Sequence, residues 1–356
     1  MRRATLCVGL MALSMFISAD TVIRDARVID GTGAAPQEST SIWVKDGYIK
    51  EIGTELQVTD ATRVFDARDM TIIPGLIDSH VHLFSLPGAT FRNDSEAEGR
   101  EQRRIHLRAY LANGVTSVLD TGISFEHLAE IRGSLASGVP GPRVYALGPP
   151  LSAPGGYADD RPESYAFNFN ARNADAVDVM IDQLVSADTI GVKVKIEYGF
   201  GPFKVWPIHS PEVREAIVNA AAEFARISFP QWVPEILSTW LAGVLQSSPT
   251  AMPMLNAVGQ IHAAGIPIVM GSDSGNWEVI PFEFHGPTSV REVELLNLAG
   301  MTKMEAIVAS TSVPAQMLGL EGEIGSITVG ARADLVILPD NPLTDLTVLT
   351  RPSWVM

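Results

Sequence analysis

The stretch that most narrows what this chain can become is Pro74-Gly-Leu-Ile-Asp-Ser-His-Val-His82. An apolar run, Met70 to Ile73 followed by Leu76 and Ile77, leads into Asp78, His80 and His82. Residues i and i+2 of a strand point to one face, so a strand here sends both imidazoles out on the same side of its end. Two imidazoles placed that way suit a divalent metal, and Zn²⁺ is the usual occupant of nitrogen-rich sites.

Composition limits what else can join them. A chain of 356 residues, 46 % of them apolar, can bury one large core and still carry a small second domain. Its formal charge of −15, from 41 acidic against 26 basic side chains, argues against nucleic acid as a partner. Cys7 is the only cysteine, so there is no disulfide framework and no thiolate cluster. Any metal must be held by histidine, carboxylate or something less usual. The first 19 residues are expected to be an export signal: Met1-Arg-Arg supplies the positive end, Leu6 to Ile17 a short apolar core, and Ser18-Ala19 a small-residue cleavage point. The apolar core is too short to span a bilayer comfortably. The mature chain would then be periplasmic or secreted and free of cysteine, as suits an oxidising compartment.

From 21 to 73, short alternating segments are separated by turns, with Asp30-Gly31 and Asp46-Gly47 as hairpin signals. The far end reads the same way, with strands over 325–329 and 333–338. Between these ends, strands alternate with helices. Helices are expected over 100–113, 125–137 and 174–187, and strands over 115–120, 143–147 and 192–197. A glycine- and proline-rich loop over 148–162 is suited to covering a site. This alternation argues for a parallel α/β architecture with functional groups at the strands' C-terminal ends. The strand over 192–197 carries Lys193 and Lys195 on one face, and an inward lysine is costly unless paired or neutralised. Ser210-Pro211-Glu212 starts a helix over 213–226, with His209 in the loop before it. Helical text over 235–245 and 254–264, the latter holding His262 as a structural residue, leads to an apolar strand over 266–270. Gly271-Ser-Asp-Ser-Gly275 closes that strand, and Asp273 would be well placed as a general base beside a metal. His285, in a loop before a helix over 289–298, and Tyr198, just past the lysine strand, are candidate substrate contacts. Thr302 is expected to cap the helices that run to 318.

Pro74 to His82, Val192-Lys-Val194, Gly271 to Gly275 and Gly330-Ala-Arg-Ala-Asp-Leu-Val-Ile-Leu338 together resemble the amidohydrolase superfamily, in its prolidase and imidazolonepropionase-like branch. These are metal-dependent hydrolases on a (β/α)8 (TIM) barrel. The resemblance implies a barrel over 74–321 and a small β-sandwich made from 20–73 with 322–356. It also implies that a lysine of the fourth strand becomes a carbamate that ligates metal; Val192-Lys193-Val194 matches that motif best, and Lys195 is the alternative. One Zn²⁺ would be held by His80, His82, Lys193 and Asp273. Water activated by the metal would attack an amide-like carbonyl of a small substrate, with Asp273 taking the proton and returning it to the leaving group.

Typical relatives hold two metals, the second through histidines that end strands five and six. Neither histidine is found between Ala225 and Gly265. Spacing agrees: 111 positions separate His82 from Lys193, but only 80 separate Lys193 from Asp273, where four βα units of roughly 31 residues would belong. The barrel is therefore expected to be incomplete between about 227 and 253. A helical plug from 232 to 264, a second copy of the chain, or decay from an active ancestor would each account for this. Two functions follow: a hydrolase of carbon–nitrogen bonds, or an inactive relative that at most binds a metal or ligand.

Overall fold

The computed structural model of the protein describes residues 20–56, 63–84, 96–156, 168–195, 207–224, 251–275 and 283–356. The expected export segment, Tyr198 and nearly all of the expected gap lie outside the described residues; of 227–253, only the start of a helix at Ala251 is seen.

The two ends of the chain pool their strands. β1 (Thr21–Val28), β2 (Gln37–Lys45), β3 (Tyr48–Gly53), β4 (Arg63–Asp66) and β5 (Thr71–Pro74) are joined by β11 (Leu335–Leu338) and β12 (Trp354–Val355) in one seven-stranded sheet. Its order is β12-β11-β5-β1-β2-β3, with β4 also paired to β1. The stretch leading into β11 bonds to the opposite edge: Ile49 N–H donates to Ala331 at 2.9 Å and Ala333 N–H to Gly47 at 2.9 Å. The sheet therefore rolls round a single core that includes Ile23, Ile42, Ile49, Ile72, Ala331 and Ile337.

The second layer begins at β6 (Leu76–Val81), which pairs in parallel with β7 (Val115–Asp120), which in turn pairs with β8 (Arg143–Ala146). On the other side of β6 runs the segment over 266–274, whose first part, 266–270, is the expected strand. It lacks a regular ladder, yet Ser79 N–H donates to Met270, Asp273 N–H to His80 and His82 N–H to Ser274, at 2.8–3.0 Å. Beyond β8, Ile190 N–H donates to Ala146, and Val194 forms a parallel bridge to Leu151. The expected fourth strand is thus present only as that bridge among the described residues. β9 (Leu151–Ser152) stands inside the expected covering loop over 148–162 and pairs in parallel with a second short strand beyond that loop, β10 (Phe169–Asn170). Among the described residues the α-helices are α1 (Glu96–Ala112), α2 (Phe125–Ala136), α3 (Ala174–Ser186), α4 (Pro211–Phe224), α5 (Ala251–Ala263), α6 (Pro287–Leu298), α7 (Lys303–Val308) and α8 (Ser312–Met317). None of them is long and apolar enough to cross a membrane.

Helix starts follow local chemistry. Ser124 and Asn173 accept the N–H of His127 and Ala176, and Ser210 accepts that of Val213. Thr302 and Glu305 form a capping box at α7. Neighbouring residues of the strand layer enter different cores. Leu76, Val118 and Met270 pack in one cluster with Leu107, Tyr110, Val290 and Val293. Ile77, Leu119 and Val269 pack in another with Ala315 and Leu318. Both faces are covered, as a parallel sheet requires.

Rolled sheet and strand layer are bolted together at Asp334. Its carboxylate accepts two bonds from the Arg143 guanidinium at 2.9 and 3.1 Å, and its carbonyl accepts Gly75 N–H at 2.8 Å. Asp334→Ala should lower stability by about 1–2 kcal/mol, because a two-point charged bond is lost but the half-exposed Arg143 can turn to water. An unshifted urea midpoint would show that this bolt carries nothing.

Candidate metal site

β6 ends at the site. His80 and His82 leave it with their Nε2 atoms 3.3 and 3.0 Å from Asp273 Oδ1, and the three ligand atoms lie within 4.8 Å of one another. The two rings are 5.4 Å apart and nearly perpendicular. Backbone bonds between β6 and the 266–274 segment bring them together. Asp273 has φ +52°, a left-handed conformation that non-glycine residues adopt at some cost. Its N–H on the His80 carbonyl at 2.8 Å holds it there. Gly275 closes the turn at φ +96°, where a Cβ would lie 2.1 Å from the His82 carbonyl oxygen. Only glycine lets the two chain segments approach so closely.

Burial pushes the His80 imidazole down to about 3, with the Lys193 charge adding to the effect and Asp273 opposing it. His80 is therefore neutral at physiological pH, the form that ligates a metal. A buried carboxylate facing two imidazole nitrogens is also a donor set of the right chemistry for Zn²⁺. The residues fit the ion.

Of the two lysines, Lys193 lies close enough to bear on both His80 and Asp273; burial holds its ammonium below the usual lysine range, against the pull of Asp273. Lys195 turns elsewhere, its Nζ donating to Asn168 Oδ1 at 3.0 Å. His285, expected as a substrate contact, is buried with its Nε2 3.1 Å from the His82 carbonyl oxygen, so its described bond is to the protein backbone. His209 is buried beside the Ser152 backbone, and His262 lies 3.6 Å from Glu305 on α7, consistent with a structural role for each. Tyr198 is outside the described residues.

Sequence reading passed over three carboxyl groups. Asp78, wholly buried, accepts from Ser272 N–H at 3.0 Å, from the Ser272 and Ser289 hydroxyls at 2.5 Å each and from His80 N–H at 3.2 Å. Burial raises it to about 6 although those bonds pull it down. It ties the two ligand-bearing segments to α6. Asp120 accepts Leu83 and Gly122 N–H at 2.7 and 2.9 Å and so shapes the chain just after His82. Glu283 is wholly buried and pushed up to about 10 by that burial, with Asp273 and Glu292 adding to the shift. Asp78 was the legible one, because a carboxyl group in the middle of an apolar strand must find donors.

A model of the amidohydrolase family matches residues 71–228 and 241–356. Among curated relatives, the imidazolonepropionase of Geobacillus kaustophilus (strain HTA426) is 24 % identical over 365 aligned positions, covering 84 % of each chain. The dihydroorotase of Pelobacter propionicus is 32 % identical over 97 residues, 27 % of this chain. The matched part spans only 20 % of that relative's length. Among solved structures, a Xaa-Pro dipeptidase with methionine bound in its active site superposes with a TM-score of 0.78 at 22 % identity, over 95 % of this chain and 98 % of that one. A putative prolidase from Bifidobacterium longum gives 0.74 at 22 %, over 96 % and 93 %. At such identities the likeness shows the fold alone, that of a TIM-barrel-type amidohydrolase. The family model covers well over half of the sequence, the two histidines and Asp273 included: the chain belongs to the amidohydrolase family.

Proposed function

We propose that this protein is a metal-dependent hydrolase of carbon–nitrogen bonds in small substrates such as amides, acylated amino acids or prolyl dipeptides. The observation that carries the reading is the convergence of His80 Nε2, His82 Nε2 and Asp273 Oδ1 at the end of β6. The names of the relatives, imidazolonepropionase, dihydroorotase and Xaa-Pro dipeptidase, point to the same bond class.

His80, His82 and Asp273 would hold one Zn²⁺, with Lys193 as a carbamate completing the set. A lysine amine must lose its proton before it can take up carbon dioxide, and the burial that lowers Lys193 favours that step. A divalent ion there supplies Lewis acidity, making water nucleophilic near neutral pH and polarising the scissile carbonyl. The protein's own groups do the rest. Asp273 accepts the proton of the attacking water on a carboxylate oxygen and delivers it to the departing nitrogen. His80, kept neutral by burial, stays a ligand throughout.

A second reading, an inactive relative that binds at most a metal or ligand, is favoured by one observation: only 80 positions separate Lys193 from Asp273. We take the chain as exported by residues 1–19, with the small sandwich of both termini beside a barrel left short over about 227–253. A second copy of the chain could complete the barrel.

Metal analysis of purified protein, with its mass in solution and activity on an acyl-amide panel before and after chelation, tests this. One Zn²⁺ per chain and chelator-sensitive turnover are expected. Turnover that survives both chelation and His80→Ala would sink the metal mechanism. A folded monomer with no metal would leave the second reading standing.

A further inference from the structure

We propose that α1 braces the metal triad from behind: His106 and Tyr110 are positioning residues that act through His285 and Ser274 to fix where His82 and Asp273 present their ligand atoms. The inference rests on the metal reading above and extends it to residues that touch no metal.

Of the two imidazole ligands, His82 needs the support. It stands just past the last residue of β6, and its side chain is 20 % exposed against 10 % for His80. Its backbone is instead held by two bonds from outside the strand. His82 N–H donates to the Ser274 carbonyl at 2.8 Å, and His285 Nε2 lies 3.1 Å from the His82 carbonyl oxygen, to which its N–H donates.

Both of those partners are in turn set by α1. The His106 ring stacks on His285 at 3.9 Å and 17°. Tyr110 meets His285 edge-on at 5.5 Å and 83°, and its hydroxyl lies 2.6 Å from Ser274 Oγ. His106 and Tyr110 are four apart and so share one face of the helix. Gln102, four residues earlier, reaches the His106 Nε2 at 3.0 Å and helps fix that ring. His106, Tyr110, His285 and Ser274 are all 5 % exposed or less. Packing round His285 is also tight on the Gly275 side, where a Cβ would lie 2.7 Å from His285 Nε2. One helix face thus reaches His82 through His285, and through Tyr110 it reaches Ser274, the residue next to Asp273. Apolar side chains would fill this space without donating a bond to the His82 carbonyl, which would then be buried without that partner.

The test is Co²⁺ titration of chelator-stripped protein, read by the visible absorption of the bound ion, on the parent, His285→Leu, His285→Gln and Tyr110→Phe. Circular dichroism shows which variants are folded. His285→Leu should weaken Co²⁺ binding by about tenfold or more. His285→Gln should recover most of the loss, because its amide N–H can reach the same carbonyl. Tyr110→Phe, nearly isosteric and safe for the fold, should shift the Co²⁺ bands and weaken binding. Parent-like affinity and spectrum in folded Leu and Phe variants would overturn the proposal, as would a Gln variant no better than Leu. If His285→Leu does not fold, Tyr110→Phe decides alone. A parent that takes up no Co²⁺ would remove the metal reading and this proposal with it. A parent that binds Co²⁺ while Tyr110→Phe binds it identically would remove only the proposal.

Discussion

Asp273→Asn should cut kcat on any carbon–nitrogen substrate of this protein by about 10²–10⁴-fold while the fold survives. The substitution is chosen for its backbone as much as for its charge. Asp273 has φ +52°, and asparagine is among the few residues that enter that region readily. Its N–H can still bond the His80 carbonyl, so the close pairing of the two segments is kept. What goes is the carboxylate, at once the oxygen facing both Nε2 atoms and the group that takes a proton from water. An amide oxygen can still face the imidazoles but carries no charge and takes no proton from water, so KM should change less than kcat. A folded Asn variant within tenfold of the parent kcat would show that another group moves the proton.

Much of this arrangement is legible in the amino-acid sequence. Pro74 to His82 specified a strand end carrying two imidazoles, and Gly271 to Gly275 specified a tight turn carrying an acid. Each is local, because period-two geometry and turn chemistry act over a few residues. Helix starts at Ser210 and Thr302 are legible for the same reason. Non-local partners are not. Nothing near Asp78 in the chain announces that Ser289, on a helix some 200 positions later, will donate to it. His285 looked like a residue open to substrate because a loop surrounds it in sequence; its burial comes from His106 and Tyr110, which belong to another helix. Lys193 and Lys195 were indistinguishable by strand parity, and only Asn168, brought alongside by β9 and β10, separates their partners. Spacing between Lys193 and Asp273 remains the strongest sequence argument for a shortened barrel, and it concerns mainly residues outside those described.

Acid should destabilise the metal-free protein steeply, by on the order of 2 kcal/mol from pH 7 to 5 and about as much again from pH 5 to 4. Burial holds imidazoles down: His80 to about 3, His106 to about 2 and His285 to about 4, each from 6.5, with His209 lowered in the same direction. Below pH 6.5 the unfolded chain therefore binds protons that the folded chain refuses, and stability falls as pH falls. Three groups oppose this, Asp120 among them, its carboxyl raised by burial. Asp78, raised from 3.8 to about 6, and Glu283, raised from 4.5 to about 10, bind protons in the folded state first. Their protonation stabilises as pH falls through those windows, and this compensation is exhausted near pH 4. The histidine term has no such floor until pH passes below about 4 for His285 and lower still for His80 and His106, so the loss should steepen below about pH 5. Glu305 and Asp345, held below the usual carboxylate range by bonds at Thr302 and Thr347, act in the same direction as the histidines. Urea midpoints of the chelator-treated protein between pH 7 and 4 read this directly. A flat or rising profile would mean that the imidazoles take up protons in the folded protein, and that the site is more open to water than its packing implies.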